Sequence, residues 1–365
     1  MKKLIGTLVA ALLAAAVFAD VGVGAWGRGF WVPFGWDGDA KMYQQAGWGG
    51  EPRIGMSFGG SSDNVGFAID VKADGGAFSV NDNAFIWVKP WSFLKIQIGQ
   101  WFDDTLRGSC YFASWDWLRP STAMGDDLTF ARIYDTRNGS PVYGAMTWET
   151  MKGALISITP IEGLYIAAGL NYTYGGDTMA NTFKYGQYQV GYTLADVVAI
   201  KAQYIGQGKD YGVINAAVDL LMIEGNKIAV GAYIPTSKDK DDVAISATYN
   251  GSFDALSLGA YVATKLPRDG NGKTFGLNIG VGVGYDLGDG MAVEGDVRAN
   301  MAFPKDGDAA VAVSIGAYFS KGFSNGKVGI GAVAAFGSNT DVNINGLTAN
   351  KDAHIAIPVK MEYWF

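Results

Sequence analysis

The chain has 365 residues, of which 17% are charged, whereas a soluble domain has about 25%. Its formal net charge of −7 leaves no excess of basic residues, so nucleic acid is excluded as a partner. One cysteine cannot form an internal disulfide, and the 52 glycines and 13% aromatic residues suit a chain with one lipid-facing and one water-facing surface.

The first nineteen residues have the pattern of a secretory signal peptide. Lys2 and Lys3 precede an uncharged run over residues 4–19, and residues 17–19 fit a cleavage site after Ala19. This run is shorter than the ~20 residues of a membrane-spanning helix, and no second run of that length follows. We predict a signal peptide over 1–19 and an exported chain over 20–365. In a membrane, that chain must form a closed barrel, because open sheet edges cannot lie in lipid.

From Asp20 onward, apolar and polar residues alternate in segments of roughly ten residues, which is typical of a membrane β-barrel. In segment 275–286, large apolar residues occupy one face and Gly, Asn and Asp the other. The second half of the chain predicts strands over residues 183–193, 197–206, 211–221, 227–234, 242–250, 255–265, 274–286, 291–302, 309–320 and 326–337. Turns rich in Gly, Asp and Asn join them, as hairpins require.

The first half predicts similar strands, with a Gly/Trp-rich loop over about residues 33–50 and a tight turn at residues 90–93. Segment 77–89 is ambiguous, because large apolar residues occur in both of its phases. The count is 18 strands, with 16 as the alternative, and an even number places both termini on the periplasmic side. Aromatic residues near strand ends indicate membrane-interface girdles; they are Trp26, Phe30, Trp31, Trp91, Phe93, Tyr204, Tyr233, Tyr249, Phe303, Phe319 and Phe323.

One connection, over residues 102–145, is far longer than the others and joins predicted strands five and six. Loops of that length are uncommon without a function. In position and length it resembles the constriction loop of bacterial general porins, which folds into the barrel and narrows it. The resemblance implies that its acids oppose basic residues of the wall. The predicted constriction residues are Asp116, Arg119, Asp126, Asp127, Arg132 and Arg137. The alternative is a solvated surface loop with ordinary ion pairs.

The same connection contains a run of aromatic residues, namely Tyr111, Phe112, Trp115 and Trp117. These rings can pack the loop against the inner wall, which is the simpler interpretation. They can also form a track on which sugar rings stack, as in the related 18-stranded sugar porins.

The polar phase of the predicted strands supplies candidates for the pore wall, which are Asp70, Lys72, Lys95, Lys201, Glu294, Asp296 and Arg298. In a barrel of 16–18 strands such charges line a water-filled channel. A hydrolase built on a barrel needs a histidine beside a nucleophile or an acidic pair. The only histidine, His354, lies in the terminal strand. We therefore expect no enzymatic activity, no catalytic residue, no cofactor and no metal site.

The last segment, residues 353–365, alternates strictly and ends on Phe365. It resembles the C-terminal strand of bacterial outer-membrane β-barrels, whose terminal Phe and alternating aromatic residues are read by the assembly machinery. The resemblance implies an assembly signal, formed by Val359, Met361, Tyr363 and Phe365. Pro358 cannot donate to a ladder, so it removes one hydrogen bond from this strand.

Together these patterns predict an all-β fold, a transmembrane antiparallel meander β-barrel of about 18 strands in the bacterial outer membrane. The predicted function is a porin for passive diffusion of small hydrophilic solutes and ions. The predicted partners are outer-membrane lipid, the barrel assembly machinery, these solutes and a homotrimer. The alternatives are a surface structural or adhesin barrel with a plugged lumen, a sugar-specific porin, and a soluble secreted sandwich.

Overall fold

The computed structural model describes residues 20–36, 40–45, 53–74, 77–103, 105–106, 150–172, 179–206, 211–237, 243–268, 274–337, 343–344, 347–348 and 354–365. The strands are β1 (Asp20–Trp36), β2 (Ala40–Gln45), β3 (Arg53–Ser61), β4 (Val65–Asp74), β5 (Ala77–Trp91), β6 (Leu94–Trp101), β7 (Met151–Ile158), β8 (Leu164–Asn171), β9 (Gln187–Leu194), β10 (Val198–Gly206), β11 (Gly212–Leu220), β12 (Asn226–Pro235), β13 (Val243–Phe253), β14 (Leu256–Leu266), β15 (Thr274–Gly288), β16 (Met291–Pro304), β17 (Ala310–Phe323), β18 (Gly326–Gly337), β19 (Asn343–Ile344), β20 (Leu347–Thr348) and β21 (His354–Trp364). One short helix, α1 (Met179–Lys184), is also described.

Within the described residues, 18 antiparallel strands form one closed barrel, which confirms the predicted fold and strand number. From β3 to β18 consecutive strands pair with one another, β3 also pairs with β1, and β21 pairs with both β18 and β1. Trp26 of β1 lies opposite Gly55 of β3 on one side and Trp364 of β21 on the other, so this seam closes the barrel. β2 extends the pairing of β1, while β19 and β20 form a separate ribbon.

The two ends of the barrel differ in the length of their connections. Eight short hairpin turns, from β3–β4 to β17–β18, lie at one end of the described barrel. At that end the backbone groups of Ala25 and Phe365 exchange two hydrogen bonds, of 3.1 and 2.7 Å. We call it the turn end, and the opposite end the loop end. Both described ends of the chain therefore lie on the same side of the barrel, as the even strand number predicts.

The two phases of each strand face different solvents. On β15 the side chains of Val281, Val283 and Tyr285 are 60%, 46% and 50% exposed on the outside, whereas Gly282 and Gly284 are buried inside. The same alternation continues on β16, where Val293 and Val297 are exposed. Exposed aliphatic side chains in such number are stable only against lipid. The apolar phase assigned from the sequence is therefore the outer surface.

Two segments differ from their predicted secondary structure. The described residues of the loop predicted over 33–50, which are 33–36 and 40–45, are strand. Trp36 pairs with Ala40 of β2 and with Ile355 of β21. The strand predicted over 183–193 begins only at Gln187, and α1 occupies the residues before it. Short apolar runs do not distinguish helix from strand by periodicity, so neighbouring strands decide the outcome.

The ambiguous segment 77–89 is strand β5. Its outer phase carries Ile86 and Val88, which are 63% and 41% exposed. Its inner phase also carries large apolar side chains, Phe85 and Trp87, and both lie beneath a lysine ammonium group. Aromatic residues on the inner wall therefore explain why both phases look apolar in the sequence.

The closing seam contains two prolines at the same level of the ladder. Pro33 of β1 falls in a register shift between Trp31 and Phe34, opposite Pro358 of β21. On the other side of β21, the pairing with β18 also lapses beside Pro358. Proline has no N–H to donate, so a bulge at this point accommodates both residues. The pairing of β21 is therefore interrupted at Pro358 on both sides, as expected for a residue without an N–H group.

Candidate functional site

The inner wall of the barrel is polar. Buried polar and charged side chains occur on many strands around the lumen, and they include Arg53, Gln97, Gln187, Gln189, Lys201, Gln203, Asn215, Asp219, Asn278, Asp296, Arg298 and Ser314. They alternate with the exposed aliphatic side chains of the outer phase. Such an interior is typical of a membrane barrel whose lumen holds water or a polar plug.

The seven side chains predicted for the pore wall all lie on this inner phase, but on four separate strands. Asp70 and Lys72 are on β4, Lys95 on β6, Lys201 on β10, and the three residues Glu294, Asp296 and Arg298 on β16. Only those on β4 and those on β16 are neighbours. The seven residues therefore do not form one cluster, and their role in a pore remains a prediction.

Three of these residues belong to buried ion pairs within the wall. The buried Lys201 ammonium group pairs with Asp219 on the adjacent strand β11. Arg298 is fully buried, and its Nε lies 2.5 Å from Oδ2 of Asp296, two residues away on β16. A buried charge is tolerated only when it is paired and hydrogen-bonded, so these pairs keep both cations in the wall.

A cationic and aromatic cluster covers the inner face of β5 and β6. The Lys95 ammonium group lies 5.8 Å from the ring centroid of Phe85 and 5.4 Å from that of Trp87. Lys89 lies 5.2 Å from the same Trp87 ring. Ammonium groups at this distance over an aromatic face are attracted by its quadrupole. These contacts hold both lysines against the wall.

The predicted aromatic girdles are partly wrong. Trp91, Phe93, Phe303, Phe319 and Phe323 are exposed on the outer surface, as membrane-interface residues should be. In contrast, the side chains of Trp26, Phe30 and Tyr233 lie on the inner phase. The Trp26 ring occupies the space beside Gly55, where any side chain would overlap it, and Arg28 lies 5.3 Å from its centroid. The outward-facing and the inward-facing aromatic residues differ in burial, which the alternating sequence pattern alone does not reveal.

A second charged cluster lies where β21 closes on β1, and sequence reasoning missed it. Arg28 lies opposite both Glu362 of β21 and Arg53 of β3. Glu362 Oε1 forms an ion pair with Arg28 Nε at 3.5 Å and accepts a hydrogen bond from Lys360 Nζ at 3.0 Å. The signal in the sequence is the mixed phase of the terminal strand, where Lys360 and Glu362 alternate with the predicted assembly residues. Only strand pairing brings Arg28 and Arg53 beside them.

The long connection after β6 begins inside the barrel. The Tyr165 hydroxyl, on the inner phase of β8, donates to Asp103 Oδ2 at 2.6 Å. Asp103 Oδ1 accepts from the backbone N–H and the hydroxyl of Thr105, at 3.1 and 2.6 Å. Leu106 is buried against Ala217 of β11, and a side chain on Gly191 would overlap it. Asp103, Thr105 and Leu106 therefore run along the inner wall of β8 to β11, and we call these three residues the inward segment.

We expect Tyr165→Phe to loosen this inward segment. A hydrogen bond to a charged group contributes about 1.5–3 kcal/mol. This substitution removes the hydroxyl that donates to Asp103 and that also hydrogen-bonds to the side chains of Thr105 and Ser157. Single-channel recordings should show larger fluctuations of the open current than in the wild type. The matched control is Tyr261→Phe, which removes a 2.8 Å hydroxyl bond to Asn278 between two neighbouring wall strands. Equal fluctuations in both variants would contradict an anchoring role for Tyr165.

The remaining predicted site residues have different outcomes. The six constriction residues, Asp116 to Arg137, and the aromatic run 111–117 lie outside the described residues, so their roles remain predictions. Val359, Met361 and Tyr363 lie on the outer phase of β21, and Phe365 follows directly after it. Met361, Tyr363 and Phe365 are 61%, 52% and 72% exposed. Their recognition by assembly machinery also remains a prediction.

Comparison with solved structures agrees with this fold. No family model and no curated protein matches the chain. Among solved structures, Pseudomonas aeruginosa OpdL matches with a TM-score of 0.57 at 11% identity, over 95% of this chain and 99% of its own. OccK8 (OprE) of the same organism matches with a TM-score of 0.55 at 12% identity, over 95% and 98%. A loop-deletion mutant of OmpT, an outer membrane protein of Vibrio cholerae, matches at 0.50 and 15%, over 95% and 99%.

The chain has the fold of a porin-like outer-membrane β-barrel. At these low identities the similarity shows the fold alone. Among the described residues, no helix is long and apolar enough to cross a membrane. The apolar outer phase and the polar inner wall of the described residues are typical of a membrane barrel.

The expectation that the chain is not an enzyme requires correction. OmpT is among the structural neighbours, and a shared barrel does not determine whether a protein has catalytic activity. The structural neighbours therefore do not support the expectation that this chain lacks enzymatic activity. The lone histidine in the sequence was too weak a reason for that exclusion.

Proposed function

We propose that the chain forms a water-filled channel for passive diffusion of small hydrophilic solutes and ions across the outer membrane. The observation that carries this proposal is the start of the long connection, which lies inside a lumen lined with charged and amide side chains. Asp103 and Leu106 attach it to β8 and β11. A connection that enters the lumen in this way narrows the channel and sets its selectivity.

Charged side chains of both signs on the inner wall support a hydrated lumen. Lys72, Lys95 and Glu294 lie on the inner phase and are only partly buried. Charges of this kind are costly in an apolar interior and inexpensive beside water. Conductance of the refolded protein in a planar bilayer tests the proposal, and stable steps of current are the expected result.

We expect the acids of the long connection to set ion preference. Replacing Asp126 and Asp127 with Asn should lower cation preference, because fixed charges act over about 8 Å at physiological salt and matter only in a narrow pore. Removing residues 111–135 should raise the conductance. Reversal potentials under a salt gradient measure the first effect and single-channel steps the second.

The matched control is Asp254→Asn, in the exposed β13–β14 turn, which removes a carboxylate at the turn end and should leave ion preference unchanged. If the Asp126 and Asp127 variants behave like this control and the deletion leaves the conductance at the wild-type value, the connection does not constrict the pore.

A barrel with a plugged lumen is the second candidate, and one observation favours it. Asn278, Arg298 and Ser314, on the inner phase of β15 to β17, are 0% exposed. Side chains without contact to solvent do not line an open aqueous path. A refolded protein that inserts into bilayers but conducts no ions would support this structural barrel over the channel.

Association into a homotrimer and recognition by the assembly machinery are also proposals. The exposed outer phase is continuous around the described barrel, which is compatible with both lipid contact and contact between copies. Chemical crosslinking of the protein in isolated outer membranes tests the trimer. If the gel shows only monomer after crosslinking, the trimer proposal is contradicted.

A further inference from the structure

A cavity lies beside the inward segment, on its turn-end side. Its volume is about 430 Å³, within the roughly 300–1,000 Å³ typical of small-molecule sites. Thr105 and Leu106 form one wall, and residues of the β7–β8 turn and of β8 to β10 form the rest. The constriction proposal does not account for this cavity.

Hydroxyl groups supply most of the polar lining. Thr105, Thr159, Thr193 and Tyr165 all line the cavity, and each hydroxyl can both donate and accept. The Tyr165 hydroxyl donates to Asp103 and also hydrogen-bonds to the side chains of Thr105 and Ser157, so Thr159 and Thr193 are the hydroxyls proposed to contact a ligand. Apolar surface comes from Leu106 and Leu164. The hydroxyl groups of the cavity can hydrogen-bond the hydroxyl groups of a solute. Its aliphatic side chains can contact the C–H groups of the same solute.

The charges at the cavity disfavour an ionic ligand. Its one lining ammonium group among the described residues, Lys201, is paired with the buried carboxylate of Asp219. Its one described lining carboxylate, Glu162, belongs to the exposed β7–β8 turn. An anion would therefore meet a cation that is already neutralised, and a divalent cation needs more oxygen ligands of negative charge than one glutamate provides.

We propose that this cavity is a binding site for a neutral polyhydroxylated solute the size of a monosaccharide. The site lies next to the inward segment, so a solute that passes the segment is held there before it leaves the barrel. This passage rests on the proposed channel function, whereas the binding itself does not. Affinity in the millimolar range is expected, because a solute of this size makes few contacts.

Saturation-transfer NMR with D-glucose, on the full chain refolded in detergent, measures binding without requiring conductance. The wild type should give a saturable signal. Thr159→Val and Thr193→Val keep the shape of the side chain and remove its hydroxyl, so each should weaken glucose binding about twofold to tenfold. The control is Thr248→Val, a buried inner-wall threonine of β13 that does not line the cavity, and it should bind glucose like the wild type.

Three results would overturn the site. They are a signal that rises linearly with glucose, equal weakening by Thr248→Val and the two cavity variants, and tighter binding of glucose 6-phosphate than of glucose. Conductance of the same preparation separates the two proposals. Saturable glucose binding without ion current would contradict the proposed channel function and support the proposed binding site.

Discussion

Val281→Arg is expected to destabilise the barrel in bilayers by about 2–4 kcal/mol, the cost of a charged side chain at the bilayer midplane. Val281 is the central residue of β15, and its side chain is 60% exposed on the outer phase. Its strand partners, Ala260 and Val297, offer no carboxylate to pair with an arginine. Urea-dependent folding into lipid vesicles, followed by tryptophan fluorescence, measures the change.

Two control variants test separately the depth of the substituted residue in the bilayer and the face of the strand on which it lies. Phe323→Arg places the same charge on the same outer phase, but at the turn end, where the cost falls to about 0–1 kcal/mol. Gly282→Ser adds a small polar group on the inner phase beside Val281 and should be mild. If Val281→Arg costs no more than these two controls, the outer phase does not face lipid at mid-strand.

Phe365→Asp is expected to reduce the amount of assembled protein in the outer membrane to a small fraction of the wild-type level. The Phe365 side chain is 72% exposed at the turn end, and its backbone already closes the seam through two hydrogen bonds with Ala25. The substitution leaves those backbone bonds possible. A loss in cells would therefore come from a missing assembly signal rather than from an unstable barrel.

Refolding of the purified variant separates these two causes. Without assembly machinery, Phe365→Asp should fold into vesicles nearly as well as the wild type, because a charge near the interface costs only about 0–1 kcal/mol. Heat-modifiable migration on gels measures folding in both settings. If the assembled Phe365→Asp variant reaches the wild-type level in cells, Phe365 is not part of an assembly signal. If the variant refolds as poorly as it assembles in cells, the defect is one of stability.

Alternation predicted most of the barrel, because the chain must satisfy lipid on one side and polar surroundings on the other. The predicted strand 326–337 coincides with β18, and predicted strand 274–286 is β15 shortened by two residues. Period-two patterns survive in the sequence because each strand meets the same two environments along its length. For the same reason, alternation alone places Val281 on the outer phase.

Alternation failed where residues of one chemical type serve both faces. Trp26 and Phe30 have the composition of a membrane girdle, yet they face inward beside Gly55 and the seam. Residues 33–36 carry the glycine and proline of a loop, yet two partner strands hold them in the sheet. Pairing with distant strands overrides local preference, and a single sequence does not report which strands those are.

The sequence by itself determined the barrel, the orientation of its two phases, and the position of its one long connection. Only the tertiary structure decided that Asp103 and Leu106 bring that connection onto the inner wall, and that Arg28, Arg53 and Glu362 meet at the seam. The physical reason is the range of the interactions. The lipid-facing phase follows from the alternation along each single strand, whereas the hydrogen bond from Tyr165 to Asp103 depends on how the chain after β6 packs against another strand.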